Sequence, residues 1–174
     1  IYSEMWLVNV EAGMGTRTHT NWNNVYFGRF FAMRFTDHSS IGIYGLTNNV
    51  GKNYTATHNG NWREMQAATG GEPVTHSGGV DFSVDGTRSL LKFQTSLNVS
   101  HETTDAENCT SSQNFLESGD WFSRSRSQQH SKAFNARWTA SLSRDTKNIS
   151  FSIAPNISYE QNSNYGNFLN ASFD

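Results

Sequence analysis

A period-two alternation of apolar and polar residues is the feature of this sequence that most restricts its fold. Between 91 and 100, four of the five odd-numbered residues are apolar and none of the even-numbered ones is. Between 134 and 143, the even-numbered residues are all apolar and the odd-numbered ones are all polar. The segment 149–160 repeats the pattern, and Pro155 interrupts it. Because successive side chains of a strand point to opposite faces, each segment predicts a strand with one apolar face, with a bulge or an unpaired edge at Pro155.

Weaker alternation elsewhere brings the number of predicted strands to about eight. The additional segments are 5–14, 25–36, 40–49, 74–84 and 166–173. In the first three of these, both faces are partly apolar, so the pattern does not decide which face is inside. Apolar residues do not recur at helical spacing anywhere in the chain. The sequence therefore predicts an all-β fold, an antiparallel meander in which each strand pairs with its neighbours along the chain.

The connections between these strands alternate strictly between short and long. The short ones are rich in turn-forming residues and lie at 36–40, 85–87 and 144–147. The long ones carry Asn, Gly, Thr and charged residues and lie at 16–24, 50–73, 105–121 and 161–165. Outer-membrane β-barrels have this asymmetry, with short periplasmic turns and long extracellular loops. The pattern thus predicts a transmembrane barrel, or a curved segment of one.

The amino-acid composition agrees with a barrel sheet that has one apolar face and one water-facing face with few charges. Charged residues make up 16% of the chain, against about 25% in an average soluble domain, and aromatic residues make up 13%. A net charge of -2 with scattered Lys and Arg excludes a nucleic-acid partner. A run of 18 or so apolar residues, which a membrane-spanning helix needs, does not occur in the sequence.

A soluble β-sandwich that binds glycans through its aromatic residues is the main alternative, since a half-buried sheet also alternates. Two features weigh against it. Strands of ten residues, such as 91–100, exceed the usual five or six or so of a globular sheet. The polar faces also carry small neutral residues where a soluble exterior usually carries Lys and Glu.

Four stretches of the chain resemble a known family. They are NVEAGMGT (9–16), YFGRFFAMRFTDHSSIGIYG (26–45), GGVDFSVDG (78–86) and NFLESGDWFSRSRS (114–127). Their sequences and their order along the chain resemble the barrel region of TonB-dependent-receptor-like outer-membrane proteins. In that family a carboxypeptidase-regulatory-like domain and a plug precede a large barrel. The resemblance implies location in the bacterial outer membrane and a role in nutrient uptake. It also implies several partners: outer-membrane lipid, the remainder of the barrel and its plug, a TonB-type energy-coupling protein and a surface lipoprotein.

On this interpretation residues 1–174 are part of one barrel domain and contain its N-terminal strands. We expect the plug and the signal peptide to be absent from this stretch, because neither a plug nor a TonB box can be found in it. Energy-coupled transport is therefore not inferred from these residues. A structural or adhesive barrel that binds an external partner through 50–73 and 105–121 stays open as an alternative function.

The alternation assigns residues to the two sides of the wall. The residues predicted to face lipid are Leu91, Phe93, Leu97, Val99, Phe134, Trp138, Leu142, Ile149, Phe151 and Ile153. Those predicted to line the lumen are Lys92, Gln94, Ser96, Asn98, Asn135, Arg137 and Thr139. Arg124 and Arg126 share a face and form either a basic ladder with Arg137 or ion pairs with acidic residues of the neighbouring strand, of which we favour the pairs.

Catalytic, cofactor-binding and metal-binding sites are not predicted, and the chain is not expected to be an enzyme. The six histidines lie apart, never at the spacing of metal ligands. Asp81, Asp85 and His76 alternate along one predicted strand without the nucleophile that a hydrolytic site needs. Cys109 is the single cysteine, so an internal disulfide is excluded.

Overall fold

The structure is a computed structural model that describes residues 4–16, 24–51, 53–56, 62–65, 72–86, 90–115, 121–146 and 148–173. Within these ranges the chain is all β and contains no helix. The strands are β1 (Glu4–Thr16), β2 (Asn24–Thr36), β3 (Ser39–Asn48), β4 (Asn53–Ala56), β5 (Trp62–Met65), β6 (Glu72–Gly86), β7 (Leu91–Asn114), β8 (Trp121–Asp145), β9 (Ser150–Ile153) and β10 (Asn156–Phe173).

Eight of these strands form one antiparallel sheet, and β4 and β5 form a separate hairpin. The order in the large sheet is β1-β2-β3-β6-β7-β8-β10, and β9 also pairs with β8. Apart from the inserted β4–β5 hairpin and the break between β9 and β10, each strand of this sheet pairs with the next one along the chain, which confirms the predicted antiparallel meander. The described sheet is not closed, since β1 and β10 form its two edges.

Two of the short connections are tight turns built around a threonine. Thr36 Oγ1 accepts hydrogen bonds from the backbone of Ser39 (3.0 Å) and His38 (3.4 Å), so β2 returns as β3 after two residues. Thr146 Oγ1 accepts a hydrogen bond from the backbone of Ile149 at 3.0 Å and donates one to its carbonyl at 2.8 Å. Of the third connection, 85–87, the structure describes the first two residues, which end β6.

The predicted interruption at Pro155 is confirmed. β9 ends at Ile153 and β10 begins at Asn156, and both pair with β8. The carbonyl of Pro155 accepts a hydrogen bond from the Ala140 amide at 3.0 Å. Proline has no amide hydrogen to give to the ladder, so the strand breaks there and resumes one residue later.

Two predicted loops are strand for most of their length, and these predictions were wrong. Of the stretch 105–121, residues 105–114 belong to β7 and Trp121 begins β8, and these two strands, of 24 and 25 residues, pair with each other. The stretch 161–165 lies inside β10, so 166–173 is the end of that strand and not a strand of its own. Both stretches are polar on both faces, and alternation detects the contrast between faces rather than the strand itself.

The buried core is small and lies where β2 and β3 meet. Phe31 and Met33 are each 2% exposed and Tyr44 is 6% exposed, with Phe35 and Trp62 packed against them. This cluster explains why 25–36 and 40–49 looked apolar on both faces. By contrast, large apolar residues such as Val8 (62%) and Ile157 (62%) are exposed on the other side of the sheet.

Candidate membrane-facing band and polar groove

The strand register aligns the apolar residues of separate strands into continuous rows. One row crosses seven strands, and every member of it is apolar: Val8, Ala32, Ile43, Val80, Leu97, Trp138 and Ile157. The next row upward is apolar or glycine throughout: Val10, Phe30, Gly45, Gly78, Val99, Ala136 and Tyr159. We call the face that carries these rows the apolar face, and the other side of the sheet the polar face.

The height over which this face is apolar differs between strands, because on β2 the charged Arg34 lies one row below the seven-strand row. On β7 its apolar residues run from Leu91 to Val99, and His101 and Thr103 follow on the same face. Nine residues match the roughly 9–11 that a tilted strand needs to cross a bilayer. At 3.3 Å or so per residue, the whole of β7 spans roughly 80 Å and thus continues far beyond this band.

The structure brings the sequence-predicted residues together in two groups. By register, nine of the ten residues predicted to face lipid lie on the apolar face: Leu91, Phe93, Leu97, Val99, Phe134, Trp138, Leu142, Phe151 and Ile153. Ile149 lies in the turn before β9. All seven residues predicted to line a lumen lie on the polar face: Lys92, Gln94, Ser96, Asn98, Asn135, Arg137 and Thr139.

The polar face forms a groove of about 840 Å³ across β6, β7, β8 and β10. Its lining combines neutral hydrogen-bonding groups with charged ones: Asp81, Ser96, Asn98, Ser100, Glu102, Asn135, Arg137, Ser158 and Glu160. Asn98 Nδ2 donates to Ser96 Oγ at 2.9 Å within this lining. Such a surface can hydrogen-bond water and polar solutes behind the upper part of the apolar band.

The sequence pattern did not predict that the segment 50–73 packs against the sheet. Its described strands β4 and β5 lie over the polar face, where the Arg29 guanidinium carbon is 5.2 Å from the ring centre of Tyr54 and 5.3 Å from those of Phe27 and Trp62. Arg29 also pairs with Glu11 at 2.6 Å, and its side chain is only 18% exposed. A cation shared by three rings fastens the hairpin to the sheet. The aromatic residues of this otherwise polar segment were the signal in the sequence.

Two cross-strand pairs lie above the band, Arg126 with Glu107 and His130 with Asp105. Arg126 Nε and Glu107 Oε1 are 2.7 Å apart, which confirms the favoured pairing of the SRSRS segment. Arg137 lies on the other face of β8, so the alternative ladder was wrong. Hydrogen bonds from Arg126 and then Gln128 lower the pKa of the Glu107 carboxyl, so the pair is complete at neutral pH and is lost as the pH falls through that lowered pKa.

Comparison with protein-family models, with curated proteins and with solved structures finds no match to this chain. Among the described residues, no helix is long and apolar enough to cross a membrane. Within the same ranges, no three His, Cys, Asp or Glu side chains are grouped so that they could hold a metal ion.

Proposed function

We propose that this chain forms part of the wall of a bacterial outer-membrane β-barrel of the TonB-dependent-receptor type, and that the protein acts in nutrient uptake. The observation that carries the proposal is the row of seven apolar residues through Leu97, one on each of seven neighbouring strands. In the described part of the chain, no second sheet or helix covers this face. A membrane would cover it.

Free energy favours this environment over water. Val8, Ile43, Val80 and Leu97 are 42–62% exposed, although they adjoin one another in one row. Contiguous apolar patches larger than a few hundred Å² are rare on soluble monomers, because each Å² of apolar surface exposed to water costs about 25 cal/mol. Lipid tails remove that cost, while the backbone groups within the sheet stay paired with one another.

The open edges support the idea that the wall continues. Among the described strands, β1 pairs only with β2 and β10 only with β8. An unpaired edge is too costly in lipid, since its amide and carbonyl groups have no water to bind. We therefore propose the remainder of the barrel as the partner of both edges.

The transport role rests on the family resemblance and on the polar groove. The groove lies behind the upper part of the apolar band, on the side that faces water in a transport barrel. The plug, the energy-coupling protein and the surface lipoprotein are partners proposed from the resemblance alone.

Refolding into lipid tests the proposal. The full chain, diluted from urea into phosphatidylcholine vesicles, is expected to form β structure and to float with the vesicles in a density gradient. In detergent-free buffer without vesicles we expect aggregation.

A triple variant of the central row, Ile43→Asn, Val80→Asn and Leu97→Asn, should lose flotation. Its control, Ser77→Asn, Ser96→Asn and Ser141→Asn on the polar face, should keep it. A monodisperse, folded chain in plain buffer would contradict the proposal.

A further inference from the structure

The apolar face has a groove where two glycines meet. Gly45 on β3 and Gly78 on β6 are direct cross-strand partners on this face; the Phe30 ring lies over Gly45, whereas no side chain lies over Gly78. The groove has a volume of about 580 Å³, and Phe30, Ile43, Val80, Leu97 and Val99 line it. Its lining is mostly apolar, which suits a hydrocarbon chain.

Two histidines lie at the upper end of this groove. His76 and His101 are direct cross-strand partners on the row above Gly78 and Val99, and both contribute to the lining. His76 Nδ1 is 2.8 Å from Thr47 Oγ1, and His101 Nε2 is 3.3 Å from Thr103 Oγ1. In each ring a threonine hydroxyl engages one nitrogen, which leaves the other to donate to a ligand.

A lysine extends this polar end by one row. Lys132 is exposed on β8, opposite Thr103 and diagonal to His101 on the apolar face. The two rows that carry His76, His101 and Lys132 contain no carboxylate among the described residues. Asp105 lies one row higher, and it pairs with His130 at 2.5 Å. The groove therefore ends in three basic side chains, and the carboxylate diagonal to Lys132, that of Asp105, is already paired with His130.

We propose that this groove binds one phospholipid, with an acyl chain over Gly78 beside the Phe30 ring and the phosphate between His76, His101 and Lys132. The inference rests on the proposed membrane location and adds a specific lipid partner to it. The three basic residues lie directly above the apolar band, at the height where headgroups lie. An anionic phosphate complements them there, and charge-assisted hydrogen bonds are the strongest that such side chains make.

Lipid retention by the full chain tests the inference. The chain is purified in a non-ionic detergent, mixed with phosphatidylglycerol or with diacylglycerol of the same acyl chains, and analysed by native mass spectrometry. We expect one phosphatidylglycerol to stay bound, and diacylglycerol to bind at least about tenfold more weakly.

Two variants remove the two halves of the site separately. The triple variant His76→Gln, His101→Gln and Lys132→Gln should weaken phosphatidylglycerol binding about tenfold or more. Val99→Phe fills the groove, because Val99 is the cross-strand partner of Gly78 and a ring there would cover the glycine. This variant should lose the lipid while its fold is kept. Arg124→Gln, a basic residue on the same face far above the groove, is the control and should bind as the wild type does.

Vesicle flotation of the same proteins separates the two proposals. All variants are expected to float. If they float and retain phosphatidylglycerol as well as the wild type does, the lipid site is refuted and the membrane proposal stands. Equal binding of diacylglycerol would also refute the site, since the phosphate would then contribute nothing. If the wild type does not float, both proposals fall.

Discussion

Replacing Leu97 with arginine is expected to lower the free energy of unfolding of the vesicle-inserted chain by about 2–4 kcal/mol. Leu97 lies in the central apolar row, flanked by Val80 on one strand and Trp138 on the other. A guanidinium there must either enter the hydrocarbon or draw water into it, and both cost free energy. Urea titration of the chain folded in vesicles measures the effect.

Arginine at two other positions should lower the free energy of unfolding far less than arginine at position 97. Ser96→Arg changes the adjacent residue on the polar face, beside Asp81, and should alter stability by less than about 0.5 kcal/mol. Phe151→Arg lies opposite Arg144 at the lower end of the band, so we expect a cost of about 0–1 kcal/mol there. Equal costs at Leu97 and Ser96 would argue against a lipid-facing and a water-facing side.

Gly79→Ala is expected to destabilise the chain by roughly 1–3 kcal/mol. Gly79 lies on the polar face directly opposite Tyr44, whose ring covers it. A methyl group at this position would overlap the Tyr44 ring and would lie 2.7 Å from the Leu97 carbonyl oxygen. The ring belongs to the buried cluster and the carbonyl belongs to the paired backbone of β7, so neither yields cheaply.

Gly13→Ala on β1 is the matched control, because a methyl group there meets no atom within 4 Å. Its effect should be neutral or slightly stabilising, since alanine restricts the unfolded chain more than glycine does. Both variants are compared by the same urea titration. A Gly79→Ala chain as stable as the control would show that Tyr44 does not pack on Gly79 as described.

The sequence predicted the strands well where the two faces differ in polarity. The odd-numbered residues from Leu91 to Val99 and the even-numbered residues from Phe134 to Leu142 alternate cleanly, and the register pairs them on one face. Pro155 interrupts its strand as expected, because the chemistry that excludes proline from a ladder is local. The turn at Asp37 and His38 was predictable for the same reason.

Features that depend on contacts between distant residues were beyond the sequence. Asp105 to Asn114 is polar on both faces, so nothing local distinguished this part of β7 from a loop. Arg29 and Trp62 meet only because the hairpin folds back over the sheet. His76 and His101 are 25 residues apart in the chain and become neighbours through the β6–β7 register. Register, rather than composition, creates these sites.

The groove on the apolar face depends on one glycine that no side chain covers. Gly45 is covered by Phe30 and Gly79 by Tyr44, whereas Gly78 lies opposite Val99 and contributes to the floor of the groove. An aromatic ring over a glycine compensates for the missing side chain, and its absence at Gly78 leaves space. The same sheet covers two glycines with an aromatic ring, and the inferred lipid site depends on Gly78 being left without one.

Nitroxide scanning along β7 is the most direct test of the central claim that the apolar face contacts lipid. Cys109, the exposed native thiol, is first changed to serine, and spin labels are then attached to single cysteines from 91 to 99 in the vesicle-inserted chain. Accessibility to oxygen, which concentrates in the hydrocarbon, should be high at odd-numbered and low at even-numbered positions. Accessibility to a water-soluble nickel chelate should show the reverse. Accessibilities without a period of two, or with the opposite phase, would contradict the account.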